Sequence, residues 1–213
     1  MISRFHYLTQ DLEDVSHEQQ ALDACQAGVK WLQLRMKTKS ESERFLIANK
    51  VKEICDSFNC QLIINDYVSL AKQIDADGVH LGKSDTTIEA ARNSLGNDKI
   101  IGGTANTFED IQKLTNEGVD YIGVGPFRFT TTKKNLSHIV GLEGYRDLVS
   151  NCKQEEINLP LIAIGGITLK DIQPLMATGI FGFAVSSAIN LSNDRKQTVQ
   201  AFIKSIEETL VLK

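Results

Sequence analysis

The sequence predicts a single-domain (β/α)8 barrel, the TIM-barrel architecture, and three observations carry the prediction. Short apolar runs alternate with amphipathic stretches along all 213 residues, the pattern of strand–helix repeats around a parallel sheet. A helix–Gly–strand unit recurs: Ala27-Gly28-Val29, Asp77-Gly78-Val79, Glu117-Gly118-Val119 and, more loosely, Thr178-Gly179-Ile180. In each, glycine can supply the left-handed residue that ends a helix just before the next strand. Finally, no G-x-G-x-x-G follows the first apolar run, which counts against a doubly wound open sheet, the alternative arrangement of such repeats.

Eight strand candidates follow in order: Arg4–Thr9, Trp31–Met36, Gln61–Asp66, Gly78–Gly82, Lys99–Thr104, Tyr121–Gly125, Leu159–Gly165 and Phe181–Ser186. They are rich in Ile, Val, Leu and aromatics, and most are bounded by Gly, Asp or Asn. Several are almost continuously apolar, as parallel strands covered on both faces should be. The intervening stretches carry helix-start signals. Ser40-x-x-Glu43, Thr86-x-x-Glu89, Thr107-x-x-Asp110 and Thr168-x-x-Asp171 all have capping-box spacing. In the second helix, Ile47, Val51, Ile54, Cys55 and Phe58 form one apolar stripe. Phe127 to Val140 shows neither period and reads as a long loop of the kind that closes over ligands.

Composition sets the function classes. The chain is 42% apolar and 23% charged, ordinary for one globular domain spanning residues 1–213. Its net charge is −4 with no basic run, so no nucleic-acid partner is expected. No apolar run approaches the roughly 20 residues that cross a bilayer, and Met1 to Phe5 lacks the layout of a signal peptide. A cytoplasmic protein is therefore expected. The four cysteines, Cys25, Cys55, Cys60 and Cys152, form no C-x-x-C pair and read as reduced thiols. The helix faces leave homo-oligomerisation open.

In a barrel of this kind the chemistry lies at the C-terminal ends of the strands. The second strand ends Gln33-Leu34-Arg35-Met36-Lys37, and strand alternation puts Gln33, Arg35 and Lys37 on one face. Buried strands tolerate such a triplet badly unless it reaches the open mouth, where Arg35 could grip a phosphate bidentately and Lys37 add a point charge. The third strand ends Ile64-Asn65-Asp66, and the fourth unit runs His80-Leu81-Gly82-Lys83-Ser84-Asp85. Asp66 and Asp85 would lie at neighbouring strand ends, as a Mg²⁺ site requires; Asp85 could equally cap the next helix. His80 alternates with apolar neighbours, so it can face the interior. Gly78-x-x-x-Gly82-Lys83-Ser84 is one residue short of a phosphate-binding P-loop. Gly165-Gly166 after strand seven and Ser186-Ser187 after strand eight suit backbone phosphate binding.

Gln33-Leu34-Arg35-Met36-Lys37, Ile64-Asn65-Asp66, His80-Leu81-Gly82-x-x-Asp85, Gly125-Pro126…Thr130-x-Thr132-Lys133, Gly165-Gly166-Ile167 and Ser187-Ala188-Ile189 together resemble the thiamine phosphate synthase family, in order and over essentially the whole chain. The resemblance implies coupling of 4-amino-2-methyl-5-hydroxymethylpyrimidine diphosphate to 4-methyl-5-hydroxyethylthiazole phosphate with Mg²⁺. It implies diphosphate contacts from Arg35, Lys37, Asn65 and Lys133, and metal ligation by Asp66 and Asp85. Gln33 and His80 would contact the pyrimidine. Thr130, Thr132, Gly166, Ser186 and Ser187 would hold the thiazole phosphate. Thr104 stands where the family usually has Ser, its hydroxyl still able to donate, and Asn106 where many members have His.

Three rival readings remain at this level. A thiazole tautomerase on the same barrel usually lacks an acid at Asp85 and has a His near Asn106. A Schiff-base aldolase-like barrel would use Lys37 or Lys133. A non-catalytic barrel would bind the same precursors without turnover.

Overall fold

The structure, a computed structural model, describes residues 2–129 and 139–211. Eight parallel strands form a closed barrel in sequence order: β1 (Phe5–Leu8), β2 (Trp31–Leu34), β3 (Gln61–Asn65), β4 (Gly78–Leu81), β5 (Ile100–Ala105), β6 (Tyr121–Val124), β7 (Leu161–Ile164) and β8 (Gly182–Val185). Each lies within one or two residues of its sequence expectation at both ends. The ring closes through β1 and β8, with His6 beside Ala184. Around it run α1 (His17–Gln26), α2 (Glu41–Ser57), α3 (Val68–Gln73), α4 (Ile88–Leu95), α5 (Phe108–Glu117), α6 (Gly141–Gln154), α7 (Ile172–Met176), α8 (Ser187–Asn190) and α9 (Arg195–Val211). Among the described residues no helix is long and apolar enough to cross a membrane.

Local signals explain most boundaries. Ser40, Thr107 and Thr168 form the expected boxes with Glu43, Asp110 and Asp171. The fourth helix departs from expectation: Thr87, not Thr86, is its N-cap, accepting from the Ala90 N–H at 3.2 Å. That shift leaves Asp85 outside the helix, where its carboxylate instead accepts the Gly82 N–H at 2.7 Å. Gly28, Gly118 and Gly179 take the expected left-handed backbone. Gly78 does not; Asp75 turns left-handed before it, at φ +52. Gly78 is needed for closeness instead, since a Cβ there would lie 2.0 Å from the Ile100 carbonyl oxygen.

The main core lies between strands and helices, where Val51 and Cys55 of the predicted α2 stripe are fully buried. A second cluster fills the barrel itself, around Leu8, Trp31, Ile63, Tyr121, Ile162 and Ala184. His6 stacks on Trp31 with ring centroids 3.5 Å apart, and Tyr121 meets Trp31 edge-on at 4.7 Å. Trp31 and Tyr121 are the first residues of their strands, so this aromatic layer plugs the lower end. Polar groups above it can be reached only from the mouth.

Candidate active site

Above the aromatic floor the inward positions turn polar. Strand alternation directs Gln33, Asn65, His80 and Thr104 inward, and Gln33, Asn65 and His80 are buried at 2%, 6% and 8% exposure. His80 is held through a residue that sequence reasoning missed. The Tyr121 hydroxyl lies 3.0 Å from His80 Nδ1. The other ring nitrogen, His80 Nε2, lies 3.0 Å from Thr104 Oγ1. Burial holds the Tyr121 phenol well above its usual pKa, so the hydroxyl keeps its proton. Glycines make the room: a Cβ at Gly102 would sit 2.1 Å from the Tyr121 ring. The available signal was this Gly opposite an inward aromatic.

Tyr121→Phe removes one hydrogen-bond partner from buried His80. Losing hydrogen-bond partners for buried groups costs about 1–3 kcal/mol. We expect urea denaturation to show a loss of that size, and an unchanged midpoint would contradict that role.

At the rim, Arg35 and Lys37 follow the end of β2. Burial pulls the Arg35 guanidinium pKa down, while Asp66 and Asp11 oppose it; a guanidinium still carries its charge. The Lys37 ammonium donates to Asp66 Oδ2. Asp66 itself has a left-handed backbone, φ +66, and its N–H donates to the His80 carbonyl at 2.9 Å. The Asp85 carboxyl is held above its usual pKa, first by burial and then by a hydrogen bond with Asp66. Two carboxyls in such contact repel unless a proton or a cation lies between them. An oxygen-only donor pair is also what a hard divalent cation takes. Asp66 and Asp85 therefore fit Mg²⁺, with Lys37 supplying part of the neutralising charge meanwhile.

A further group positions this rim and gave no clear signal in the sequence. Thr9 Oγ1 accepts the Arg35 N–H at 3.0 Å, and Asp11 Oδ2 accepts the N–H groups of Lys37 and Thr38 at 2.8 and 3.1 Å. His17 spans the two, with Nδ1 2.9 Å from Thr9 and Nε2 2.9 Å from Asp11. Burial alone would raise the Asp11 pKa, but the bonds from His17, Lys37 and Thr38 bring it below the usual carboxylate range. Thr, His and Asp here imitate a nucleophilic triad. Thr9 is fully buried and its oxygen is engaged by the backbone, so the set is a brace for the Arg35–Lys37 segment.

On the opposite side of the mouth, β7 and β8 run together, Ile164 beside Ala184. Gly165 and Gly166 follow β7 with φ +103 and +71. Arg128 holds this turn: it donates to the Gly166 carbonyl at 3.1 Å and to both Asp171 oxygens at 2.9 and 2.5 Å. A Cβ at Gly166 would meet the Arg128 side chain at 2.5 Å. Burial would raise the Asp171 pKa, yet the Arg128 and Thr168 bonds lower it. Ser186 and Ser187 follow β8 at the start of α8; Asn190 Nδ2 donates to Ser186 Oγ at 3.2 Å and to the Leu8 carbonyl at 2.9 Å. Asn106 Nδ2 donates to the Gly125 carbonyl. Thr130, Thr132 and Lys133 lie outside the described residues.

Arg128→Ala should loosen the Gly165-Gly166 turn without touching the cationic rim. We expect KM for a phosphate bound at that turn to rise several-fold while kcat changes less. Equal losses in both would place Arg128 in another role.

A closed barrel with cationic, carboxylate and glycine-turn groups around one mouth defines a (β/α)8-barrel enzyme that handles phosphorylated small molecules. The family model described as thiamine monophosphate synthase matches residues 7–189, and the chain belongs to that family. It is 47% identical over 215 residues to the thiamine-phosphate synthase of Flavobacterium johnsoniae, covering the whole of both chains. It is 48% identical over 183 residues to that of Bacteroides fragilis, covering 86% of this chain and 90% of the relative. The fold is similar to that of the thiamine phosphate pyrophosphorylase from Pyrococcus furiosus, with a TM-score of 0.86, 28% identity, and 97% and 96% of the two chains covered.

Proposed function

We propose that this chain joins the pyrimidine diphosphate to the thiazole phosphate, giving thiamine monophosphate and pyrophosphate. The observation that carries the reading is the meeting of Arg35, Lys37, Asp66 and Asp85 at one mouth, in a chain of this family. In the reaction the carbon–oxygen bond to the diphosphate breaks and its electron pair leaves with the anion. A carbon–nitrogen bond to the thiazole nitrogen forms. That nitrogen has no proton to lose, so the site needs charge rather than a general base.

Arg35, Lys37, Asn65 and Lys133 hold the diphosphate in this reading. Fixed cations in a shaped, partly dry pocket stabilise the departing polyanion more than water could. Asp66 and Asp85 hold Mg²⁺, which when bound adds further positive charge against the leaving group. Gln33 and His80 contact the pyrimidine ring, the His80 ring held by Tyr121 and Thr104. Gly166, Ser186 and Ser187, with Thr130 and Thr132, hold the thiazole phosphate. Asp85, and Asn106 in place of a His, favour the synthase over the tautomerase. For Lys37, pairing with Asp66 suits an anion clamp better than the neutral amine that a Schiff base needs. The reading implies a cytoplasmic enzyme, in keeping with its four free cysteines.

The test is a coupling assay with both substrates and Mg²⁺, with an EDTA control, following thiamine monophosphate as its fluorescent thiochrome. Metal-dependent product is expected. Absence of product would overturn the reading and favour the tautomerase or the non-catalytic binder.

A further inference from the structure

The spacing of the cysteines gives no reason to group them, yet the fold brings three together. Cys25 lies near the end of α1, Cys55 near the end of α2, and Cys60 between α2 and β3. Their Sγ atoms all lie within 4.8 Å of one another, and the residues are 3%, 0% and 4% exposed. Cys152, on α6, is not part of the group.

The neighbouring Cys55 and Cys60 thiols hold the Cys25 thiol below its ordinary pKa. The neighbouring Cys25 thiol in turn holds the Cys55 and Cys60 thiols up. Lys30, anchored by its ammonium to the Phe58 carbonyl at 2.7 Å, adds positive potential at Cys25 and Cys60. The Cys60 thiol donates to the Gln61 carbonyl at 3.8 Å, and the Lys30 cation lies near.

Three sulfurs in a plane around an ion, with bonds of about 2.3 Å, lie about 4 Å apart, so the trio needs only a small contraction to close on a metal. Structural zinc takes four ligands. Among the described residues no His, Asp or Glu joins the three sulfurs. An all-sulfur, three-ligand set selects a soft ion, and among the first-row metals that is monovalent copper. We propose that Cys25, Cys55 and Cys60 form a buried trithiolate site for Cu(I), separate from the phosphate-handling mouth. Ligation would release the remaining thiol protons and tie α1 and α2 to the start of β3.

The full-length reduced protein, titrated anaerobically with Cu(I) against the competing chelator bicinchoninate, tests the site. We expect one copper retained per chain, and a shell of three sulfurs by X-ray absorption on the unmutated protein. Cys60→Ser should weaken retention at least tenfold, and Cys152→Ser should leave it unchanged. The absorption measurement does not depend on any variant folding. Complete loss of copper to the chelator would overturn the proposal. So would a shell containing nitrogen or oxygen, or equal retention in Cys60→Ser.

Discussion

Replacing Arg35 by Ala should lower kcat/KM by about 10²- to 10³-fold, the usual cost of removing one preorganised charge-stabilising group. The size follows from where the guanidinium sits. It is partly buried beside Asp66 and Asp11, its backbone is braced by Thr9, and it needs little reorganisation to meet developing negative charge. Arg35→Lys should recover only part of the loss, because a point charge cannot replace a bidentate fork. Lys133→Ala should cost a similar factor, although Lys133 is outside the described residues and that expectation rests on its motif. Steady-state kinetics on both variants decides the matter. Near-normal turnover in both would remove the assignment of the diphosphate site.

Asp85→Asn should separate activity from stability. Turnover should fall by about 10²- to 10³-fold, since half of the carboxylate pair is lost where fixed charge matters most. The metal-free protein, in contrast, should melt at a higher temperature than the parent at neutral pH. Burial, and then Asp66, raise the Asp85 pKa in the folded state. A carboxyl raised in this way contributes stability below its unfolded pKa and loses it as pH rises through the folded value. At neutral pH the unprotonated Asp85 therefore opposes folding, and Asn relieves that opposition while its amide oxygen can still accept from Gly82. The difference should shrink toward acid pH. Added Mg²⁺ should raise the parent midpoint by mass action and leave the variant unmoved. Thermal melts across pH, with and without Mg²⁺, read all of this. A variant that melts lower at neutral pH would contradict the electrostatic account.

The barrel was legible because its signals are local and repeated. Apolar runs with turn residues located every strand, and three of the four capping boxes formed as spaced. The fourth failed by one residue, since Thr86 and Thr87 offer the same hydroxyl and only the Asp85 turn decides between them. The rim was legible because Arg35, Lys37, Asp66 and Asp85 are costly to bury and occur at strand ends. The supporting groups were not. Thr9 and Asp11, bridged by His17, act by holding backbone of another element, which leaves no trace in spacing. Tyr121 reads as one more aromatic at a strand start, and its hold on His80 appears only when β4 and β6 face one another inside the barrel. The cysteine trio was hidden for the same reason, its members being contributed by α1, α2 and the approach to β3.

The backbone at Asp66 carries a consequence for how this position can vary. Its φ of +66 is tolerated by glycine, asparagine and aspartate and by few other residues. A library randomised at codon 66 would thus be filtered twice. Selection for folding would admit glycine, asparagine and aspartate, and selection for turnover would admit aspartate. Asparagine is then the informative replacement, because it preserves the turn while discarding the charge. Alanine would confound conformational strain with lost function.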